Sequence, residues 1–179
     1  MTYLNIIQFW FEEISPKDWW TKSETFDQML LERFSGIHLQ ASRGELFEWR
    51  SEPLGRLAEI IILDQFSRNM YRNLPQSFSS DTVALILTQI AIENGADKNM
   101  TPDQKGFLYM PMMHSESLMI HNYSKPFFAQ EGCESYAKSS ARHIEIIERF
   151  RRYPHRNTIL GRLSTPEEIE FLKQPGSSF

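Results

Sequence analysis

The sequence has little of what marks a secreted or membrane protein. Cys133 is the one cysteine among 179 residues, so no disulfide can form within the chain, and a reducing compartment is favoured. No apolar run approaches the roughly 18 residues that a transmembrane helix needs. The amino-terminal segment MTYLNIIQFWFEEI lacks the cationic leader of a signal peptide. We therefore expect a cytoplasmic protein that does not bind membranes.

An excess of positive charge is also missing. The formal net charge is -4 at pH 7, whereas nucleic-acid-binding proteins are usually basic, so we expect no nucleic-acid partner. What the sequence does contain is the material of a core, because 41% of its residues are hydrophobic and 13 are phenylalanines. This composition is typical of one globular domain, which we assign to residues 1–179.

Apolar residues recur at three- and four-residue steps along most of the chain, which indicates amphipathic helices. The two stripes nearest the amino terminus are Leu4, Ile7, Phe11, Ile14 and Phe26, Leu30, Phe34, Ile37. The segments TPDQ (residues 101–104) and TPEE (residues 165–168) have the pattern of helix capping boxes. Alternating strand patterns are absent. These features predict an all-α fold of about eight helices, with breaks or kinks at Pro111 and Pro126.

The predicted helix from Pro53 to Arg72 changes character halfway along its length. Its apolar stripe, continued by the helical spacing, meets the polar residues Asp64, Gln65, Arg68, Asn69 and Arg72. This end of the helix could emerge into solvent, with Asp64 and Arg68 as an ordinary surface ion pair. The opposite side of the helix stays apolar, which favours a second interpretation, the wall of a partly buried pocket.

Three further polar clusters interrupt apolar surroundings. FLYMPMMHSE runs into His114, Ser115 and Glu116, and His143 falls on the apolar stripe of a predicted helix. YPHRN places His155, Arg156 and Asn157 at an expected helix start, where unpaired backbone N–H groups favour an anion. Each has a structural alternative, since Asn157 has the chemistry of a helix cap and a lone histidine such as His143 is often a satisfied core residue.

Established catalytic and cofactor motifs are not present. His114 and Glu116 are two residues apart and would point in different directions on a helix, so they lack the spacing of a metal-binding pair. Ser115 lacks the GxSxG context of a serine nucleophile, and the phosphate-binding GxxxxGK and GxGxxG loops are missing. We predict no metal and no cofactor.

Four longer segments together resemble domain-of-unknown-function family 924, an uncharacterised bacterial family. They are IILDQFSRNMYR, FLYMPMMHSE, RHIEIIERF and YPHRNTILGRLSTPEEIEFL, and the early FWF, DWW, FD and RF fit the opening region of the family. The resemblance covers nearly the whole chain. It implies a tetratricopeptide-like antiparallel helical array, arranged as a compact superhelix with a concave binding face. It implies no established activity.

The chain departs from the family pattern at three positions. Ser67 stands where proline is common, so we expect a less kinked helix. Arg151 fills a position where glycine is usual, immediately before the turn that leads to Tyr153. His121 lies where an acid or a glutamine is more common.

We predict that the distant polar clusters form one pocket that binds a small anionic ligand, either a carboxylate or a phosphate compound, or an acidic peptide. The expected site residues, which match the family motifs, are Asp64, Gln65, Arg68, Asn69, His114, Ser115, Glu116, His143, His155, Arg156, Asn157 and Arg162.

Two other classes of function stay open. One is a hydrolase-type or metal-assisted enzyme, for which the candidate catalytic residues are Asp64, His114, Glu116, His143 and His155. The other is a scaffold that binds protein partners on its concave face, the usual role of tetratricopeptide-like folds.

Overall fold

Eight helices and no strand make up the regular structure of the chain in a computed structural model that describes residues 1–178, so the all-α prediction is confirmed. Helix α1 (Tyr3–Gln8) continues as a wider, π-helical turn over Phe9–Glu13, and α3 (Pro53–Ile61) continues as a similar turn over Ile62–Phe66 and ends with Ser67–Met70. The other helices are α2 (Glu24–Ser42), α4 (Asp81–Glu93), α5 (Pro102–Met113), α6 (Leu118–Phe128), α7 (Glu134–Phe150) and α8 (Pro166–Leu172). The likeness to tetratricopeptide repeats stays a prediction.

Helix α3 is the central helix of the fold and contacts α1, α2, α4 and α5. Its fully buried apolar residues are Leu57, Ala58, Ile60, Ile61, Ile62, Leu63 and Phe66. Helix α6 packs between α5 and α7. A smaller cluster of Ile146, Ile147 and Tyr153 joins α7 to the loop that follows it. None of the helices in residues 1–178 is both long and apolar enough to cross a bilayer.

The local signals for helix ends were mostly correct. Both predicted capping boxes form, with the Thr101 and Thr165 side chains accepting bonds from the backbone N–H groups of Gln104 and Glu168. Of the breaks or kinks predicted at Pro111 and Pro126, the breaks were wrong, because α5 runs through Pro111 and α6 runs through Pro126, and each helix ends two residues later. Proline removes the hydrogen bond of its own N–H group and crowds the carbonyl group four residues earlier, and each helix ends within two residues of its proline.

The apolar stripe expected in α1 was only partly correct. Ile7 is buried, but Leu4 is 55% exposed, and the residues that fill the core from this helix are Ile6, Phe9 and Trp10. The segment is apolar on several sides, so the spacing of its apolar residues fits more than one helical stripe and does not determine which side faces the core. The stripe of α2 was correct, with Leu30, Phe34 and Ile37 buried.

The π-helical turn of α3 contains Asp64 and Gln65 of the predicted site and lies shortly before Arg68 and Asn69. Three side chains that follow it donate to carbonyl groups within the turn, four residues back in each case. Ser67 Oγ donates to Leu63 O at 2.6 Å, Arg68 Nη1 donates to Asp64 O at 3.0 Å, and Asn69 Nδ2 donates to Gln65 O at 2.9 Å. π-Helical turns are frequent at functional sites.

Helix α7 ends at Phe150, and Arg151 follows it at the position where the sequence motifs suggest glycine. Arg151 has a φ of 59° and a ψ of 10°, the left-handed conformation of a helix C-terminus, and its N–H donates to Ile147 O. The chain therefore makes the sharp turn toward Tyr153 in spite of the Cβ atom. A non-glycine residue in this conformation costs about 1 kcal/mol relative to glycine.

We expect Arg151→Gly to raise the melting temperature by about 2–4 °C, because glycine relieves this strain. Arg151→Ala is the matched control, since it removes the long side chain but keeps the Cβ atom. Thermal unfolding followed by circular dichroism compares the two. Equal melting temperatures for the glycine and alanine variants would contradict the assigned strain.

Candidate functional site

A cavity of about 620 Å³ lies where α3, α5, α7 and the turn Pro154–Arg156 meet. We call it the polar cavity, and its wall consists of Trp19, Trp20, Thr21, Lys22, Gln65, Arg68, Asn69, Arg72, Asn73, Ser77, Phe78, His114, His143, Tyr153, His155, Arg156, Ile159 and Ser178. Seven of the predicted site residues are in this set. They are Gln65, Arg68, Asn69, His114, His143, His155 and Arg156.

Two arginines on the wall share one carboxylate behind it. Arg68 forms a bidentate ion pair with Asp81, with N–O distances of 2.9 and 3.0 Å, and Arg156 Nη1 lies 3.3 Å from the same carboxylate. Arg156 Nη2 also donates to His114 O at 3.0 Å. Asp81 is the first residue of α4, where the positive end of the helix dipole favours a negative charge. The shared carboxylate fixes both guanidinium groups at the cavity.

A second carboxylate, Asp64, is buried in α3 with 1% of its surface exposed. Its Oδ1 lies 3.0 Å from Arg68 Nη1 and 2.7 Å from His114 Nδ1. Burial alone would raise the pKa of Asp64, but the charge of Arg68 and the hydrogen bonds from His114 and Gln65 hold it well below its ordinary range. Burial and the charge of Arg68 in turn lower the pKa of His114, so its imidazole is neutral at pH 7.

Arg156 is enclosed by aromatic rings. Its guanidinium carbon lies 4.6 Å from the centroid of Phe78 and 4.6 Å from that of Tyr153. The Tyr153 hydroxyl is bonded to Met113 O, which holds this ring in place. Such contacts orient a cation through the negative face of the ring. The two rings therefore leave the edge of the guanidinium plane for polar contacts.

The wall has an uneven distribution of charge. It carries four cationic side chains, Lys22, Arg68, Arg72 and Arg156, and among its described residues it carries no carboxylate. The carboxylates that balance the arginines stand behind them. Arg72 is paired with Asp27, and no salt bridge among residues 1–178 involves Lys22. Among residues 1–178, three carboxylates (Asp27, Asp64 and Asp81) stand behind these four cations, which leaves one positive charge uncompensated in the described part of the site.

Five predicted site residues lie off the wall: Asp64, Ser115, Glu116, Asn157 and Arg162. Arg162 and Glu116 form a bidentate ion pair at 2.6 and 2.9 Å, and Glu116 also accepts the Tyr153 N–H at 2.7 Å. This pair holds the loop between α7 and α8, so Arg162 supplies no charge to the wall. Ser115 Oγ accepts the backbone N–H of Ser117 at 3.2 Å.

Asn157 does not cap a helix, and the expected helix start at YPHRN is a short 3₁₀ turn, Pro154–Arg156. The Asn157 side chain instead donates to Ser164 Oγ and to Glu168 Oε2, at 3.0 and 3.2 Å. Glu168 is also bound by Arg152, which lowers its pKa to about 2. Asn157 thus ties the loop to α8.

The sequence interpretation missed several residues of the site. Asp81 stands at the start of a helix, where an aspartate is ordinary, and its pairing with Arg68 and Arg156 spans 13 and 75 positions. Arg72 was recognised on the polar stripe but left out of the site. Lys22 had no local pattern that would have identified it.

No group of three histidine, cysteine, aspartate or glutamate side chains within residues 1–178 is arranged to hold a metal ion. His114 and His143 have ring centroids 6.3 Å apart, and His143 Nδ1 is bonded to Ser139 O at 2.8 Å. The side chains of the wall offer hydrogen bonds and positive charge.

Low pH should destabilise the protein through its histidines. Burial, the largest cause in each case, lowers the pKa of all five, to about 3 for His143 and about 4 for His155. Unfolded histidines titrate near 6.5, so between pH 6.5 and about 4 the unfolded chain takes up protons that the folded protein does not. The stability is complete above pH 6.5 and decreases as the pH falls through this window.

We expect the free energy of unfolding of His155→Gln to depend less steeply on pH than that of the natural protein, by about 1 kcal/mol per pH unit between pH 6 and 5. Urea unfolding at pH 7, 6 and 5, followed by tryptophan fluorescence, measures both slopes. Parallel slopes would mean that His155 titrates equally in the folded and unfolded states.

The comparisons with known proteins agree with this fold. A solved structure of a protein of unknown function from Agrobacterium tumefaciens has 33% sequence identity and a TM-score of 0.90, and the match covers 96% of this chain and 96% of that one. None of the curated proteins is significantly similar. The model of a family described as bacterial protein of unknown function (DUF924) matches residues 6–176. The resemblance seen in the motifs is confirmed, and the chain belongs to this bacterial family.

Proposed function

We propose that the polar cavity binds a small organic anion. The observation that carries the proposal is the separation of charge at the wall, where Lys22 and three arginines (Arg68, Arg72 and Arg156) face the cavity and the carboxylate partners of the arginines stand behind them. A carboxylate ligand would compensate the remaining positive charge and accept hydrogen bonds from guanidinium edges, an arrangement that suits arginine.

The size and lining of the cavity favour a small molecule over an acidic peptide. Its volume of about 620 Å³ falls in the range of small-molecule sites, roughly 300–1,000 Å³. Four aromatic side chains, Trp19, Trp20, Phe78 and Tyr153, contribute to the wall beside the cations. The preferred ligand therefore has an acidic group attached to an apolar part.

Thermal melts with sodium salts of carboxylates and of phosphate, at constant ionic strength, test the proposal. We expect anions to raise the melting temperature, because they bind the folded state, and choline chloride to leave it unchanged. A protein that melts at the same temperature with every anion would contradict the proposal.

Lys22→Ala sharpens this test. Lys22 is exposed and has no salt bridge among the described residues, so its removal should lower anion affinity about threefold, the effect of one exposed charge, without affecting folding. Lys17→Ala is the matched control, since Lys17 is also exposed, lies five residues earlier and is not on the wall. If the two variants bind anions with equal affinity, the anions bind elsewhere than in the polar cavity.

The Asp64–His114 pair favours a second candidate function, hydrolysis. Asp64 holds His114 through Nδ1 at 2.7 Å, and the ring lies on the wall of the cavity. The other ring nitrogen, Nε2, could take a proton from a water molecule, whose oxygen would attack a carbonyl carbon while the leaving group takes the proton from the imidazolium. Arg156 and Arg68 would stabilise the negative charge that forms on the carbonyl oxygen.

For this second function, His114→Gln should lower the rate of ester hydrolysis by about 10²–10⁴-fold. His121→Gln is the control, because His121 is buried and bonds to Ser115 O but is not on the wall. Initial rates with chromogenic esters of short carboxylic acids at pH 7 provide the measurement. If both variants lower the rate equally, or if neither lowers it, the proposed hydrolysis by His114 would be contradicted and anion binding alone would remain.

A further inference from the structure

A second cavity adjoins the polar cavity and shares two of its wall residues. It has a volume of about 410 Å³, and the rings of Trp19 and Trp20 contribute to both walls. The Trp20 ring stacks on Phe107, with centroids 5.8 Å apart and planes 9° from parallel, and 59% of Trp20 is exposed. The two tryptophans therefore cover the region where the cavities meet.

Both cavities lie along the same pair of helices. Ser135 and Ser139 of α7 line the second cavity, and His143, one turn further on the same face, lines the polar cavity. On α5, Met113 lines the second cavity and the next residue, His114, lines the polar cavity. The eight residue steps from Ser135 to His143 correspond to roughly 12 Å along the helix axis. The two cavities are thus neighbours along α5 and α7 that share the Trp19 and Trp20 rings, and together we call them the crevice.

The second cavity differs in character from the first. Its large apolar contributors are Trp19, Trp20, Met110, Met113 and Tyr136. Asp103 is also on this wall, and its Oδ1 accepts a hydrogen bond from the Tyr136 hydroxyl at 3.0 Å, so these two polar groups are paired with each other. No cationic side chain is among the described residues of its wall. The crevice therefore has a cationic end and an apolar end.

We infer that the occupant of this crevice is an unbranched alkyl carboxylate. This inference rests on the proposed function and specifies its ligand. The carboxylate lies at the cationic end, where one uncompensated positive charge matches a single negative charge. The alkyl chain extends along α7 past Ser139, with Met113, Tyr136 and Trp20 around it. Methionine side chains adapt well to chains of this kind because they are unbranched and flexible.

Calorimetric titration of the full chain with acetate, hexanoate, decanoate and decanol tests the inference. Each methylene that enters the second cavity should raise the affinity about fourfold, so decanoate should bind on the order of 100-fold more tightly than hexanoate. Decanol, which has the tail without the charge, should bind more weakly than decanoate.

Ser139→Phe provides the structural test, because Ser139 is exposed on α7 and a phenyl ring at this position would fill the second cavity. We expect it to remove the gain from hexanoate to decanoate. Lys138→Phe is the matched control, since Lys138 is exposed on the same helix and is not on either wall. Melting temperatures of both variants establish that they fold.

The outcomes separate the two proposals. In one outcome acetate and hexanoate bind, Lys22→Ala weakens their binding, and decanoate binds no more tightly than hexanoate. That outcome would overturn the alkyl-chain inference and leave the proposed function standing. Decanol that binds as tightly as decanoate would overturn the inferred ligand class. No binding of any carboxylate would overturn both proposals.

Discussion

Two carboxylates behind the cavity wall, Asp64 and Asp81, determine where the cations of the site lie. A buried guanidinium group without a negative partner is strongly destabilising, so Arg68 and Arg156 can occupy the interior only where these carboxylates reach them. Burial opposes the charge of Arg68, yet Asp64 and Asp81 together raise its pKa. The same contacts join α3, α4, α5 and the loop after α7, so the site and the fold depend on one network.

This network supports binding and catalysis through different members. The arginines remain charged and provide a permanent positive surface, whereas His114, His143 and His155 have lowered pKa values and are neutral at pH 7. A ligand that binds by charge uses the arginines and Lys22. A reaction that moves a proton would use His114, because Asp64 orients it. Both depend on Asp64 staying ionised, which its partners ensure.

The parts of the structure that could be predicted from the sequence are those that depend on local spacing. The helical class, the capping boxes at Thr101 and Thr165 and the stripe of α2 all follow from residues within one or two turns. The polar clusters could be recognised as unusual, but their individual roles could not be predicted. Arg162, for example, pairs with Glu116, which is 46 positions away in the sequence. No local pattern shows whether Arg162 contacts Glu116 or a ligand.

The same reason explains why Asp81 was missed. At the start of a helix an aspartate has an ordinary local role, and only the folded chain brings it to Arg68 and Arg156. Arg151 illustrates the converse, because the family pattern marked the position as unusual and the left-handed backbone conformation gives the physical reason.

The position of Arg156 between Phe78 and Tyr153 has an energetic consequence for any ligand. A free arginine side chain loses rotational entropy when a ligand immobilises it, at a cost of about 0.5–1.5 kcal/mol. The two rings, together with Asp81 and His114 O, already confine Arg156 before a ligand arrives. The rotational entropy of Arg156 is thus already lost when the chain folds, so a ligand meets a preorganised cation and binding does not lose that entropy again.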